Sequence, residues 1–150
     1  MKPGDHPDFF RLAPPAGRSR ESSIVLDARG RFWHEGALIE HPGVARAFAS
    51  WIRRHPDDGR YILSNDYDWT YITVEDAPVF VVAVSGAPPA LPVLELSTGE
   101  SELLDPALSW VGKDDGLYTK VRAGSLTAKF TPAAQLALAP FLPLPIPLPG

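Results

Sequence analysis

At 150 residues and 16.3 kDa, with 45 % hydrophobic and 21 % charged residues, the chain suits one globular domain or two small packed halves, and its balance excludes wholesale disorder. A net charge of −4 argues against nucleic-acid binding by bulk positive charge, and the lack of cysteine excludes disulfides, thiolate metal sites and thiol catalysis. The start is polar and broken by proline, unlike a signal peptide, and no apolar run approaches the ~18 residues of a spanning helix, so a soluble cytoplasmic protein is expected.

Prolines punctuate the chain: twelve of the 17 fall in residues 1–15, in 88–92 and in the tail from Pro140. Residues 1–22 therefore read as a loosely held arm. Ile24 to Asp27 reads as a strand, Ala28 to Arg31 as a turn, and Phe32-Trp33-His34 as the returning strand of a hairpin. Gly36 bends the chain. Pro42 suits the first turn of a helix expected to run to about Arg54. Val44, Phe48, Trp51 and Ile52 would form its buried stripe, so Trp51→Ala is expected to cost roughly 3–5 kcal/mol. His41, Arg46, Arg53, Arg54 and His55 give that helix a basic flank, able to meet an anionic ligand or partner, or simply solvated.

Pro56 and Asp57-Asp58-Gly59 end the helix. Arg60 to Ser64 is a strand, Asn65-Asp66-Tyr67-Asp68 a polar turn, and Trp69 to Glu75 an alternating strand with Ile72 and Val74 on one face. Val79 to Val84 is a continuous apolar run suited to a sheet centre. Residues 86–92 read as a linker. Beyond it, Val93 to Leu96, Ser101 to Leu104 and Leu108 to Val111 are short strands, and Lys113-Asp114-Asp115-Gly116 is a hairpin turn. Leu117 to Arg122 and Ser125 to Phe130 alternate around Ala123-Gly124. Thr131 is an N-cap and Pro132 the first residue of a helix, Ala133 to Ala139, that Pro140 ends. The tail, 141–150, should be extended and polyproline-II-like, dispensable for folding but offering apolar area for assembly, a homodimer included.

The halves 23–85 and 93–140 each contain strand, glycine turn, strand and a proline-started helix. This weak internal repeat predicts an α+β fold with a duplicated hairpin-helix-sheet core.

The chemistry-bearing patterns are sparse. There is no glycine-rich phosphate loop, no Gly-x-Ser-x-Gly elbow and no His-Glu-x-x-His; His34-Glu35 has its next histidine at His41, the wrong spacing for one helical face. No catalytic residue, metal ligand or cofactor is assigned. Asp66 and Asp68 bracket Tyr67, and two carboxylates so placed could divide acid and base roles or hold a divalent cation. Asn and Asp also favour such turns by bonding their own backbone, which is the simpler account. Asp76, if inward with Ile72 and Val74, needs a partner. Tyr118, Lys120 and Arg122 share one strand face, suited to an anion or an aromatic ring, and Arg122 is expected to tie the halves together through Asp76 or Asp68.

The stretch from Asp27 to Val84 resembles the bacterial family known as domain of unknown function 1285. The resemblance is carried by Gly30-x-Phe-Trp-x-x-Gly36, by Val44-Ala-Arg-Ala-Phe-Ala-Ser-Trp-Ile-Arg-Arg54, by Gly59-Arg-Tyr-x-Leu63 and, most specifically, by Val74-Glu-Asp-Ala-Pro78. Tyr118-x-x-Val-Arg-x-Gly124-x-Leu extends it to about residue 140, across a middle, 86–116, that does not match. The resemblance implies a duplicated core, a C-terminal part loosely like a pleckstrin-homology fold, no established activity, and a ligand-binding cleft with a role in signalling. Members commonly carry Thr-Pro-Val-Glu where this chain has Asn65-Asp66-Tyr67-Asp68, so a ligand shaped by that turn would differ here.

The expectation is a non-catalytic small-ligand-binding or signalling module, its site a cleft between the halves lined by Trp33, Asp68, Asp76, Tyr118 and Arg122. The rivals are a metal-dependent hydrolase using Asp66 and Asp68, and a protein-interaction module using the proline tail and basic helix.

Overall fold

The computed structural model describes residues 1–146. The chain divides into two units, Met1–Asp76 and the remainder from Ala77, and its mixture of short strands and helices is α+β.

In the first unit, β1 (Ile24–Leu26) and β2 (Phe32–His34) form the expected hairpin, and β3 (Ala37–Leu38) adds a short antiparallel edge after Gly36. Asp27 shapes the turn: its Oδ1 accepts the N–H groups of Arg29 and Arg31, each at 2.9 Å. Helix α1 (Pro42–Trp51) starts at Pro42, with His41 Nδ1 accepting the Gly43 and Val44 N–H groups at 3.1 and 3.3 Å.

The expected helix to Arg54 stops short. Ile52 turns extended, and β4 (Ile52–Arg54) pairs antiparallel with β5 (Tyr61–Ser64), which in turn pairs with β6 (Trp69–Tyr71). A β-branched residue with a free strand edge beside it gains more from the ladder than from one further helical turn. Two expectations fall with the helix end. Ile52 is fully buried, but in the sheet, and no residue of α1 is fully buried; Trp51 is half-buried rather than core. The basic flank also breaks up: the Arg53 guanidinium lies 4.6 Å from the Phe10 ring centre, that of Arg54 4.5 Å from Tyr61, and His55 is buried. Of the arginines, Arg46 alone stays on α1, so the basic-helix docking surface is not formed.

The strand expected from Trp69 to Glu75 is two strands. β6 pairs with β5, whereas β7 (Thr73–Val74) crosses to lie parallel to β1, giving the order β3-β2-β1-β7. Ile72 sits at the junction, buried, its N–H bonded to Tyr61 O at 3.1 Å.

The arm is not loose. Gly4 N–H donates to Asp66 O at 2.7 Å, and a side chain at Gly4 would sit 2.8 Å from the Asp66 Cα, so this approach needs glycine. Phe9 and Phe10 are buried with Ile62 and Trp69, and Arg11 pairs with Asp57 through two hydrogen bonds of 2.9 and 2.8 Å. Proline excluded regular structure here but not burial.

The second unit holds β8 (Val79–Ser85), β9 (Val93–Leu96), β10 (Ser101–Leu103), β11 (Ser109–Val111), β12 (Leu117–Val121), β13 (Leu126–Phe130) and α2 (Pro132–Leu136). One sheet runs β10-β9-β8-β13-β12-β11, with β8 and β13 parallel and the other pairs antiparallel. β8 is central, as its continuous apolar run predicts, but it pairs with β9 and β13, whereas the sequence grouping placed it with the preceding meander. β12 and β13 alternate: Leu117, Thr119, Val121, Leu126, Ala128 and Phe130 are buried, and the residues between are half-exposed. α2 packs on β8 and β13 and is capped by Thr131, which accepts the Ala134 N–H at 3.2 Å. It ends at Leu136 rather than Ala139; a single turn, Ala139–Phe141, accommodates Pro140, Leu142 leaves it extended, and the chain turns again where the Ile146 N–H donates to Leu144 O at 2.8 Å. Its last four residues, 147–150, lie outside the described residues.

Candidate functional site

A pocket of about 200 Å³ opens on the first unit, lined by Ile24, Phe48, Trp51, Leu63, Asn65, Asp68, Trp69 and Thr70. Four elements and one turn converge on it. β1 supplies Ile24, the last two turns of α1 supply Phe48 and Trp51, β5 supplies Leu63, and β6 supplies Trp69 and Thr70. The α1-to-β4 switch explains why Phe48 and Trp51 are half-buried: with Ile52 drawn into the sheet, the helix presents its two aromatic rings, 5.7 Å apart, to the pocket.

The polar side of the pocket is the 65–68 turn. Asn65 Oδ1 accepts the N–H groups of Tyr67 and Asp68 at 2.9 and 2.8 Å, the local bonding that makes these residue types turn formers. Asp68 Oδ1 accepts the Trp69 N–H at 2.9 Å and is paired with the Arg20 guanidinium. Burial pushes the Asp68 carboxyl up, but the Trp69 N–H and the Arg20 guanidinium outweigh it and hold the group below the usual carboxylate range. Arg20 is fixed from the arm: its Nη1 also donates to Trp69 O at 3.0 Å, and its guanidinium lies 4.6 Å from the Trp69 ring centre. Trp69 Nε1 is buried without a hydrogen-bond partner. A buried donor left without an acceptor costs free energy.

Of the five residues expected to form the site, Asp68 lines this pocket. Trp33 instead donates its indole N–H to Asp27 Oδ2 at 2.8 Å, and that oxygen also accepts Arg31 Nε at 2.9 Å. Asp27 is buried, which raises its pKa, but the hydrogen bonds from Trp33, Arg31 and Arg29 prevail and lower it to about 2. Since the folded value lies below the unfolded ~3.9, this carboxylate stabilises the fold above about pH 4, by about 2 kcal/mol, and the contribution is lost as pH falls through ~2. Asp27→Asn should therefore lower stability at pH 7 and flatten the decline between pH ~4 and ~2; an unchanged acid limb in urea titrations at stepped pH would contradict this.

Asp76 is exposed just after β7. In the second unit Tyr118 projects from β12 and stacks on Trp110 at 5.6 Å, with Lys129 Nζ 5.6 Å from its ring centre. Arg122 is not on the strand: β12 ends at Val121, and Arg122 enters the hairpin turn with φ 50°. Its Nε and Nη2 donate to Glu100 Oε1 at 2.9 and 2.7 Å, and its backbone N–H donates to Glu102 at 3.1 Å. So Tyr118 and Lys120 share a face as expected, and Arg122 departs from it.

The two-carboxylate arrangement is not assembled either. Asp66 pairs with Lys2 at 3.3 Å and Asp68 with Arg20, each held by a different cation. Among the described residues, no group of three or more His, Cys, Asp or Glu could hold a metal ion. The pocket residues that sequence reasoning missed are apolar or small. Trp69 directly follows the Asn-Asp turn, and that adjacency was the available signal.

The sequence matches no family model and no curated protein. Two solved structures share the fold. A DUF1285 family protein from Silicibacter pomeroyi DSS-3 is 20 % identical with a TM-score of 0.63, over 86 % of this chain and 79 % of that one. A DUF1285 family protein from Shewanella baltica OS155 is 25 % identical with a TM-score of 0.59, over 77 % of this chain and 88 % of that one.

Proposed function

We propose that this DUF1285-like protein is a small-ligand-binding module, in a binding or signalling role rather than a catalytic one, and that its site is the pocket of the first unit. The observation that carries the reading is the composition of the lining: Phe48, Trp51, Trp69, Ile24 and Leu63 offer apolar walls, and Asn65, Asp68 and Thr70 supply a few polar groups on one side. That combination buries an apolar body and orients one polar group. A catalytic reading finds less support, since no lining residue pairs a nucleophile with a base; the Thr70 hydroxyl already donates to Arg20 O at 2.8 Å.

At about 200 Å³ the cavity is smaller than the ~300–1,000 Å³ of drug-sized sites, so the ligand is a small one. The test is thermal melting with 2-phenylethanol and indole as probes. Native-state binding should raise the melting temperature in step with probe concentration. Trp51→Ala separates binding from stability. Because Trp51 is half-buried, this change should cost only about 1–2 kcal/mol, less than a core tryptophan, yet abolish the probe-induced shift. A loss of ~3 kcal/mol or more would return Trp51 to the core, and an intact shift would remove the pocket from the binding site.

A further inference from the structure

We infer that the ligand of this pocket is a small organic cation, an ammonium group on a compact apolar or aromatic body; the inference rests on the pocket being a ligand site. Among the eight lining residues Asp68 is the one that carries a charge, and no cationic side chain lines the cavity. Asp68 uses Oδ1 for both the Trp69 N–H and Arg20, while Oδ2 takes no hydrogen bond among the described residues. A carboxylate has about four lone-pair sites, so it can accept a second cationic donor there.

Arg20 does not satisfy the site in the ligand's place. Its donors are spread over Asp68, Trp69 O, Leu12 O and Ala13 O, which ties it to the backbone of the arm and of β6. Paired with Asp68 and with Arg18 also acting on that carboxylate, it offsets most of the field that a ligand ammonium would feel, so charge alone is not enough. The rest comes from the rings. Phe48 and Trp51 both line the same cavity with their rings 5.7 Å apart, and the face of an aromatic ring attracts cations and repels anions. The Asp68 carboxyl, held below its usual range, stays ionised at neutral pH. An anionic ligand would meet that carboxylate and the ring faces with no lining cation to receive it.

Three probes with similar bodies test this on the intact chain: 2-phenylethylamine, 2-phenylethanol and 3-phenylpropionate, followed by tryptophan emission and calorimetry. The amine should bind about tenfold tighter than the alcohol, the acid weakest of the three, and the advantage of the amine should shrink with added salt. Asp68→Asn keeps the side chain's size and an acceptor for Arg20; it should bring the amine down to the level of the alcohol and leave the alcohol within about twofold. An alcohol that binds the wild-type chain as tightly as the amine would overturn the cation assignment and leave the pocket reading standing. Saturable binding by none of the three would overturn both. The three-probe comparison on the wild-type chain decides the matter even if Asp68→Asn fails to fold.

Discussion

Phe10→Ala should destabilise the protein by about 3–5 kcal/mol, although it lies in a segment with no strand and only single turns of helix. The ring is 8 % exposed and meets Phe9 edge-on at 4.9 Å, Trp69 at 6.0 Å and His55 at 5.8 Å, with the Arg53 guanidinium 4.6 Å from its centre. Its carbonyl is committed too. His55 Nδ1 accepts the Asp57 N–H at 3.1 Å, so Nε2 carries the proton donated to Phe10 O at 3.0 Å. Removing the ring leaves a cavity bounded by rigid aromatics, which cannot collapse readily. Urea denaturation of Phe10→Ala against wild type gives the number. A loss below ~1 kcal/mol would mean that residues 1–22 are not an integral part of the first unit's core.

Trp69→Ala should cost about as much, and Trp69→Phe far less, which makes the pair more informative than either alone. Trp69 is 6 % exposed and belongs at once to the cluster of Phe9, Phe10 and Ile62 and to the pocket wall. Alanine removes the ring from both. Phenylalanine keeps most of the packing and removes the orphaned Nε1–H, whose burial without a partner costs about 1–3 kcal/mol. The lost ring area and the relieved N–H therefore oppose each other, and Trp69→Phe should fall within about 1.5 kcal/mol of wild type. If phenylalanine costs as much as alanine, the indole N–H is bonded in solution and the orphan assignment is wrong.

The sequence was most legible where local rules and tertiary context agree. The Asp27–Arg31 turn, the Asn65–Asp68 turn, the central position of the 79–84 run and the Thr131-Pro132 helix start were all readable from residue type and spacing. It misled where pairing overrode periodicity. The stripe Val44, Phe48, Trp51, Ile52 fits a helix of 13 residues, yet a strand edge captured Ile52 to Arg54, and only the first three remained helical. That one change exposed Phe48 and Trp51 and so made the pocket. Similarly, the Trp69–Glu75 alternation specifies extended chain, but nothing in it says that β6 and β7 belong to different sheets. The prolines of residues 1–22 report on backbone hydrogen bonding and not on whether Phe9 and Phe10 are buried. Asp68, which lines the pocket, stands out in a sequence as a turn carboxylate; Phe48, Trp51 and Leu63 do not, because a pocket wall and a core have the same composition.

The pocket's occupancy can be read directly from the four tryptophans, which give four indole N–H signals in a proton–nitrogen correlation spectrum. Trp51 and Trp69 line the pocket, Trp33 is bonded to Asp27, and Trp110 is stacked on Tyr118 in the second unit. Titration with 2-phenylethylamine should shift the Trp51 and Trp69 signals along a saturating curve and leave those of Trp33 and Trp110 in place. Shifts that grow linearly without saturation, or that move all four signals alike, would contradict a ligand site in the first unit.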